Sequence, residues 1–115
     1  MIVDIFQKYA DIIVTYDILK FKVVGASYQL VYTIELTGQT RLFAKDYLFS
    51  DGSRKYSFHW QDRQEHCIVR WDNVPHHVTV ASFPHHKHLG NAEQVAESAP
   101  MQLETVLEYI RQRIT

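Results

Sequence analysis

Histidine is concentrated in one short part of this 115-residue chain, which has seven histidines in all. Positions 75–77 read PHH and positions 83–88 read FPHHKH, so His86 and His88 lie on the same side of an extended backbone. Imidazole exchanges protons near neutral pH and is also a common zinc ligand. The segment therefore predicts a site for proton transfer or for metal binding, and its spacing alone favours neither.

A second set of polar residues alternates with aromatic residues in the sequences KYSFHWQ and HCIVRWD. Alternation with a period of two predicts the two β-strands of a hairpin. If Trp60 pairs with Cys67, every apolar side chain of the hairpin lies on one side. The opposite side then carries His59 within reach of Arg70, with Asp72 on the same side of its strand. The hairpin is predicted to have an apolar side for the core and a polar side that could do chemistry.

These groups match the requirements of metal-independent RNA cleavage. The reaction needs a base for the ribose 2′-hydroxyl, an acid for the departing 5′-oxygen and a cation for the phosphate. We predict His59 or His86 as the base and a second histidine as the acid. Arg70 and Lys87 would hold the phosphate, and Asp72 would orient a histidine. The candidate catalytic residues are His59, Arg70, Asp72, His85, His86 and His88, and the supporting candidates are Lys87, His76 and His77.

Two other interpretations of the same residues remain. A metal could be bound by His76, His86 and His88. However, Lys87 stands between two of these ligands, and the segment from 73 to 92 contains no carboxylate. We therefore expect no cofactor and keep the metal as an alternative. The polar side of the hairpin also fits a non-catalytic surface that binds another protein.

Composition excludes several classes of protein. The chain is 46% hydrophobic and 22% charged, which predicts one globular domain over residues 1–115. Twelve basic and thirteen acidic residues give a net charge of -1, so binding to nucleic acid would have to be local. Cys67 is the single cysteine, and the four glycines form no phosphate-binding loop. We expect a cytoplasmic protein with no signal peptide and no membrane span.

Hydrophobic periodicity predicts an α+β fold. Apolar residues at helical spacing predict a helix at each end of the chain, and alternating segments between them predict five strands. The segment from Asn73 to Pro100 has little periodicity and is predicted to be mostly irregular. The predicted architecture is a five-stranded antiparallel meander with the N-terminal and C-terminal helices packed on one face.

Three motifs occur in a fixed order in the second part of the chain: KYSFHWQD, IVRWDNVPHH and SFPHHKHLG. Together they resemble the TumE family, the toxin components of toxin–antitoxin systems. The resemblance covers residues 40 to 115 well and the first two strands only in general pattern. It also implies a glutamate before the hairpin, where LFAKDYL has Asp46, so we add Asp46 to the supporting candidates.

The resemblance implies a toxin that is neutralised by an antitoxin, typically a helix-turn-helix protein. RNA is then the expected substrate, and an endoribonuclease is the expected activity. A non-catalytic module that binds an antitoxin is the main alternative.

Overall fold

Two helices and a single antiparallel sheet make up the computed structural model, which describes residues 2–75, 80–90 and 94–114. The helices are α1 (Ile2–Lys8) and α2 (Leu103–Ile114). Within the described ranges the sheet has seven strands in sequence order: β1 (Ile13–Val24), β2 (Ser27–Leu36), β3 (Thr40–Leu48), β4 (Arg54–Gln61), β5 (Cys67–Asp72), β6 (His86–Leu89) and β7 (Gln94–Glu97). The predicted α+β meander with terminal helices is confirmed.

The number of strands corrects the sequence analysis, which predicted five. The two additional strands, β6 and β7, come from the segment that was predicted to be irregular. The β6 sequence HKHL contains no run of alternating apolar residues, so its pattern did not indicate a strand. Backbone pairing with β5 on one side and β7 on the other keeps it extended. The histidine-rich segment is therefore partly a strand inside the sheet.

The register of the β4–β5 hairpin also differs from the prediction. Trp60 pairs with Val69 rather than with Cys67. From Val69 to Asp72 this shift of two residues leaves each side chain on its predicted face, so alternation could not distinguish the two registers. A β-bulge after Trp60 then pairs Cys67 with Gln61, so Cys67 is not on the predicted apolar side, and Ile68 packs against the core instead. The Asp62 carboxylate shapes the longer connecting loop by accepting hydrogen bonds from two backbone N–H groups, each at 2.9 Å.

The hydrophobic core lies between the sheet and the two helices. Val106, Leu107 and Ile110 of α2 are fully buried against the aromatic face of β4 and β5. Burial of side chains of this size contributes roughly 1.5–3 kcal/mol each. Tyr109 meets Trp71 edge to face, with ring centroids 5.1 Å apart. We call this side of the sheet the helix face and the opposite side the distal face.

Contacts between the chain ends hold the two helices together. The hydroxyl of Tyr9, just after α1, donates a hydrogen bond to Glu108 of α2 at 3.1 Å. Arg111 reaches back to the Lys8 carbonyl at 3.0 Å and to Asp11 at 2.6 Å. Both helices therefore pack on the helix face, and the polar side chains lie on the distal face.

In the described part of the chain, neither helix has the length and apolar character of a membrane span.

Candidate active site

Six polar side chains form two rows on the distal face of β4, β5 and β6. Directly opposed residues of antiparallel strands point to the same face, so the pairing of these strands defines the rows. We call the six residues the distal site. The first row is His59, Arg70 and His88, and the second row is Ser57, Asp72 and His86.

Asp72 is the centre of the distal site and is only 1% exposed. Its Oδ1 accepts a hydrogen bond from the Val74 backbone N–H at 3.0 Å and lies 2.8 Å from His86 Nε2. Its Oδ2 lies 3.3 Å from His88 Nε2 and 3.2 Å from Arg70 Nε. The arginine contact is an ion pair without the alignment of a hydrogen bond. Burial of a carboxylate is costly unless it is paired, and here the neighbours of Asp72 provide that pairing.

His86 is held in one orientation by the turn that precedes β6. Its Nδ1 lies 2.9 Å from the Pro84 carbonyl oxygen, which can only accept, so Nδ1 carries a proton and donates it there. The Ser82 hydroxyl braces the same turn by donating to the His85 carbonyl at 2.6 Å. It also accepts a hydrogen bond from the Ser98 backbone at 2.9 Å. His86 Nε2 is consequently directed at Asp72, and at 2% exposure this side chain does not reach a substrate.

Asp72, His86 and His88 could also hold a metal ion. One potential ligand atom from each lies within 4.8 Å of the others. Carboxylate oxygen and imidazole nitrogen are both zinc ligands. The sequence-based hypothesis used His76 in place of Asp72, but His76 and His77 lie outside the described residues. Among those described, this trio has the spacing of a metal site.

His59 differs from the other two histidines of the distal site because its Nε2 has no hydrogen-bond partner among the described residues, although that atom is buried. Burial lowers the pKa of His59 below its ordinary value of 6.5, and the nearby positive charge of Arg70 lowers it further. A histidine with a lowered pKa is neutral at neutral pH. His59 can therefore accept a proton.

A cavity of about 430 Å³ opens beside His59 on the distal face. Three cationic side chains, Lys45, Lys55 and Arg70, line it together with Ser57 and the aromatic rings of Phe43 and Tyr47. The Arg70 side chain is 43% exposed, so it is accessible from solvent. Cations that converge on a concave surface favour an anionic ligand, and rings beside them suit a nucleobase.

In a comparison with known protein families, the family model described as toxin TumE matches residues 2–114. The chain belongs to the TumE toxin family. This confirms the resemblance inferred from the three motifs and extends it to the first two strands. Membership implies a toxin function and an antitoxin partner. No curated protein and no solved structure matches the chain.

In this TumE family member, two of the predicted site residues lie on the opposite face of the sheet. His85 Nδ1 is hydrogen-bonded to the Tyr56 hydroxyl at 2.8 Å on the helix face. Lys87 pairs with Trp71, whose side chain is in the core. Both line a larger cavity of about 550 Å³ that is separate from the distal site. The prediction that His85 and Lys87 act together with His59 is therefore wrong in its geometry. Side chains alternate between the two faces from His85 to His88, so His85 and Lys87 point away from His86 and His88.

Asp46 also lies on the helix face and has a structural partner. Its two carboxylate oxygens lie 2.9 Å and 3.2 Å from Arg54 Nε and Nη2, respectively. Arg54 also donates to the Met101 carbonyl at 2.6 Å and stacks on the Tyr56 ring at 4.5 Å. The carboxylate, although shorter than the glutamate expected from the resemblance, still makes a two-point ion pair. We assign Asp46 to the scaffold rather than to the distal site.

Sequence reasoning missed two lysines and one serine of the site region. Lys45 pairs with Ser57 across β3 and β4, and Lys55 lies two residues before Ser57 on the same strand. The alternation of KYSFHWQ already placed Lys55 and Ser57 on the polar side. Lys45 could have been found only from the pairing of β3 with β4, which requires contacts between distant parts of the chain.

Proposed function

We propose that this toxin cleaves RNA at the distal site by attack of a ribose 2′-hydroxyl on the neighbouring phosphodiester. The observation that supports this most directly is the row His59–Arg70–His88 across three adjacent strands. Neighbouring strands are about 4.8 Å apart, so the backbones of the two histidines are separated by roughly 10 Å with the arginine between them. A displacement at phosphorus needs groups on both sides of the phosphate, and this row provides them.

His59 is the proton acceptor in this proposal. The His59 ring lines the cavity, its lowered pKa keeps it neutral, and no described residue is hydrogen-bonded to its Nε2, which fits a base that removes the 2′-hydroxyl proton. From the sequence, either His59 or His86 could have this role. His86 is almost fully buried and is directed at Asp72, which favours His59.

The cations of the cavity bind the phosphate. Arg70 stands at the centre of the row, and Lys45 and Lys55 line the same cavity. Positive groups that are already in place stabilise the charge that increases on the phosphate oxygens in the transition state. Arg70 is kept in position by its ion pair with the buried Asp72. The cations on the distal face thus replace Lys87, which was predicted for this role.

The leaving 5′-oxygen departs on the His88 side of the row. His88 has a 21% exposed side chain and is backed by Asp72 and His86. The bond from the 2′-oxygen to phosphorus forms while the bond from phosphorus to the 5′-oxygen breaks. His59 takes up one proton, and the 5′-oxygen gains one from the Asp72–His86–His88 group. The products are a 2′,3′-cyclic phosphate and a 5′-hydroxyl end.

The test of this function compares His59→Gln with the matched control His66→Gln, which changes an exposed histidine in the β4–β5 loop. Glutamine retains polarity but does not exchange protons near neutral pH. We expect His59→Gln to cleave RNA about 10²- to 10⁴-fold more slowly than wild type, with the control unaffected. Expression of each variant alone, followed by growth and total RNA, gives the same ranking in cells.

Two results would contradict the proposal. One is RNA cleavage by His59→Gln at the wild-type rate. The other is growth arrest by the wild-type protein with intact RNA and no cleavage in the purified system. That second result would favour the non-catalytic module that binds another protein. The helix-turn-helix class of the antitoxin, taken from the resemblance, stays a prediction that co-purification with the neighbouring gene product can check.

A further inference from the structure

We infer that Asp72, His86 and His88 form a binding site for one divalent metal ion of the zinc type. The binding itself does not depend on RNA cleavage, but the role we give the metal rests on the proposed function. In a tetrahedral site with bonds of about 2.0–2.1 Å, neighbouring ligand atoms are about 3.3–3.4 Å apart. His88 Nε2 is 3.3 Å from Asp72 Oδ2, and His86 Nε2 is 2.8 Å from Oδ1. These contacts involve the two oxygens of one carboxylate, and one ligand atom from each of the three residues lies within 4.8 Å of the others, so adjustment of the side chains brings them around one ion.

The orientation of His86 supports a cation at this position. Its Nδ1 donates to the Pro84 carbonyl, so Nε2 is the ring nitrogen that faces the Asp72 carboxylate at 2.8 Å. Imidazole nitrogen and carboxylate oxygen are both metal ligands, and the contact with Pro84 holds Nε2 in place for an ion.

The surroundings of His86 and Asp72 match those of metal ligands in proteins. Ligating histidines usually donate their other N–H to a carbonyl or carboxylate, and ligating carboxylates are themselves held by further contacts. Here the Pro84 carbonyl holds His86, and the Val74 N–H and Arg70 hold Asp72. Two of these three contacts come from the backbone next to β5 and β6, and the third comes from a side chain of β5, so the site is built by the fold.

Three protein ligands leave a fourth position for water, as in catalytic zinc sites. One carboxylate leaves the bound divalent ion with a net charge of +1, beside the positive charge of Arg70, which suits a phosphate-containing substrate. When bound, the ion would lower the pKa of a coordinated water and so supply a proton donor for the departing 5′-oxygen. Asp72, His86 and His88 would hold the ion on that side of the phosphate, and His59 would hold the proton taken from the 2′-hydroxyl until solvent carries it back.

The experiment measures metal binding without RNA. Tag-free protein is stripped with a chelator, passed into chelator-free buffer, and titrated with Zn²⁺ by calorimetry and with Co²⁺ by visible absorption. We expect one equivalent of each to bind, with the absorption bands of tetrahedral Co²⁺. His88→Cys and His88→Ser form a matched pair, since a thiolate is a zinc ligand and a hydroxyl is a poor one. We expect His88→Cys to retain binding and His88→Ser to bind at least about 100-fold more weakly.

The control is His66→Gln, which removes a histidine far from the trio and should bind metal as wild type does. The inference is wrong if the wild-type protein binds neither ion, or if His88→Ser binds as tightly as His88→Cys. RNA cleavage with and without chelator separates this outcome from that of the proposed function. Cleavage that persists in chelator by a protein without metal supports the proposed function and shows that the metal has no role in it. Metal binding without RNA cleavage would support the metal site and contradict the proposed function.

Discussion

The two faces of the sheet carry similar residue types in different states. The distal face has a carboxylate, an arginine and histidines around Asp72, and the helix face has Asp46, Arg54 and His85 around Tyr56. On the helix face the polar groups are paired with one another, and the Tyr56 hydroxyl also accepts from a backbone N–H at 3.3 Å. On the distal face, Arg70 is accessible and His59 Nε2 has no partner among the described residues. The groups on the helix face serve the scaffold, whereas His59 and Arg70 line a cavity and are available to a substrate.

Replacement of the two arginines by glutamine separates these roles most clearly. Arg70→Gln should slow RNA cleavage about 10²- to 10³-fold, because it removes the central positive charge of the phosphate site. Its effect on the free energy of unfolding should stay within about 1 kcal/mol, since the side chain is 43% exposed and Asp72 keeps its other contacts. Cleavage assays and urea unfolding of the same preparation measure both. A large loss of stability with unchanged cleavage would reverse the assignment of the distal face.

Arg54→Gln should have the opposite profile. It removes the two-point ion pair with Asp46 and the hydrogen bond to the Met101 carbonyl, in a region where both charged side chains are mostly buried. We expect the free energy of unfolding to fall by about 1.5–3 kcal/mol, with RNA cleavage by the folded protein unchanged. Arg54→Lys keeps the charge without the planar fork, so its loss should be smaller but not zero. Reduced cleavage by fully folded Arg54→Gln would show that the helix face takes part in the chemistry.

The smallest expected effect is on the titration of His59. Burial lowers its pKa first and Arg70 second, so Arg70→Gln should raise the pKa toward 6.5 but not to it. A base with a lowered pKa stays neutral to lower pH. The acid limb of the wild-type pH–rate profile should thus lie below 6.5 and move upward in Arg70→Gln. An NMR titration of the His59 ring measures the shift directly. An equal shift in Arg54→Gln would show that the cause is not the neighbouring charge.

The sequence by itself determined which side chains share a face. Alternation in KYSFHWQ and HCIVRWD placed His59, Arg70 and Asp72 together and kept the aromatic rings for the core. The two terminal helices and the α+β class also followed from periodicity. These properties depend on residues that are close together in the sequence, so a hydrophobic period of two residues predicts a strand and a period of 3.6 predicts a helix.

Only the tertiary structure decided which strands meet and in which register. From Val69 to Asp72, a shift of two residues in the β4–β5 pairing changes no face, so the pattern could not exclude it, yet it brings His59 directly opposite Arg70. Likewise, β6 is a strand because its backbone is hydrogen-bonded to β5 and β7, and the pattern of its own residues does not predict this pairing. That pairing brings His86 and His88 into contact with Asp72, and it places His85 on the helix face. Register depends on backbone contacts between segments that are distant in the sequence, and the residue pattern of one segment does not predict those contacts.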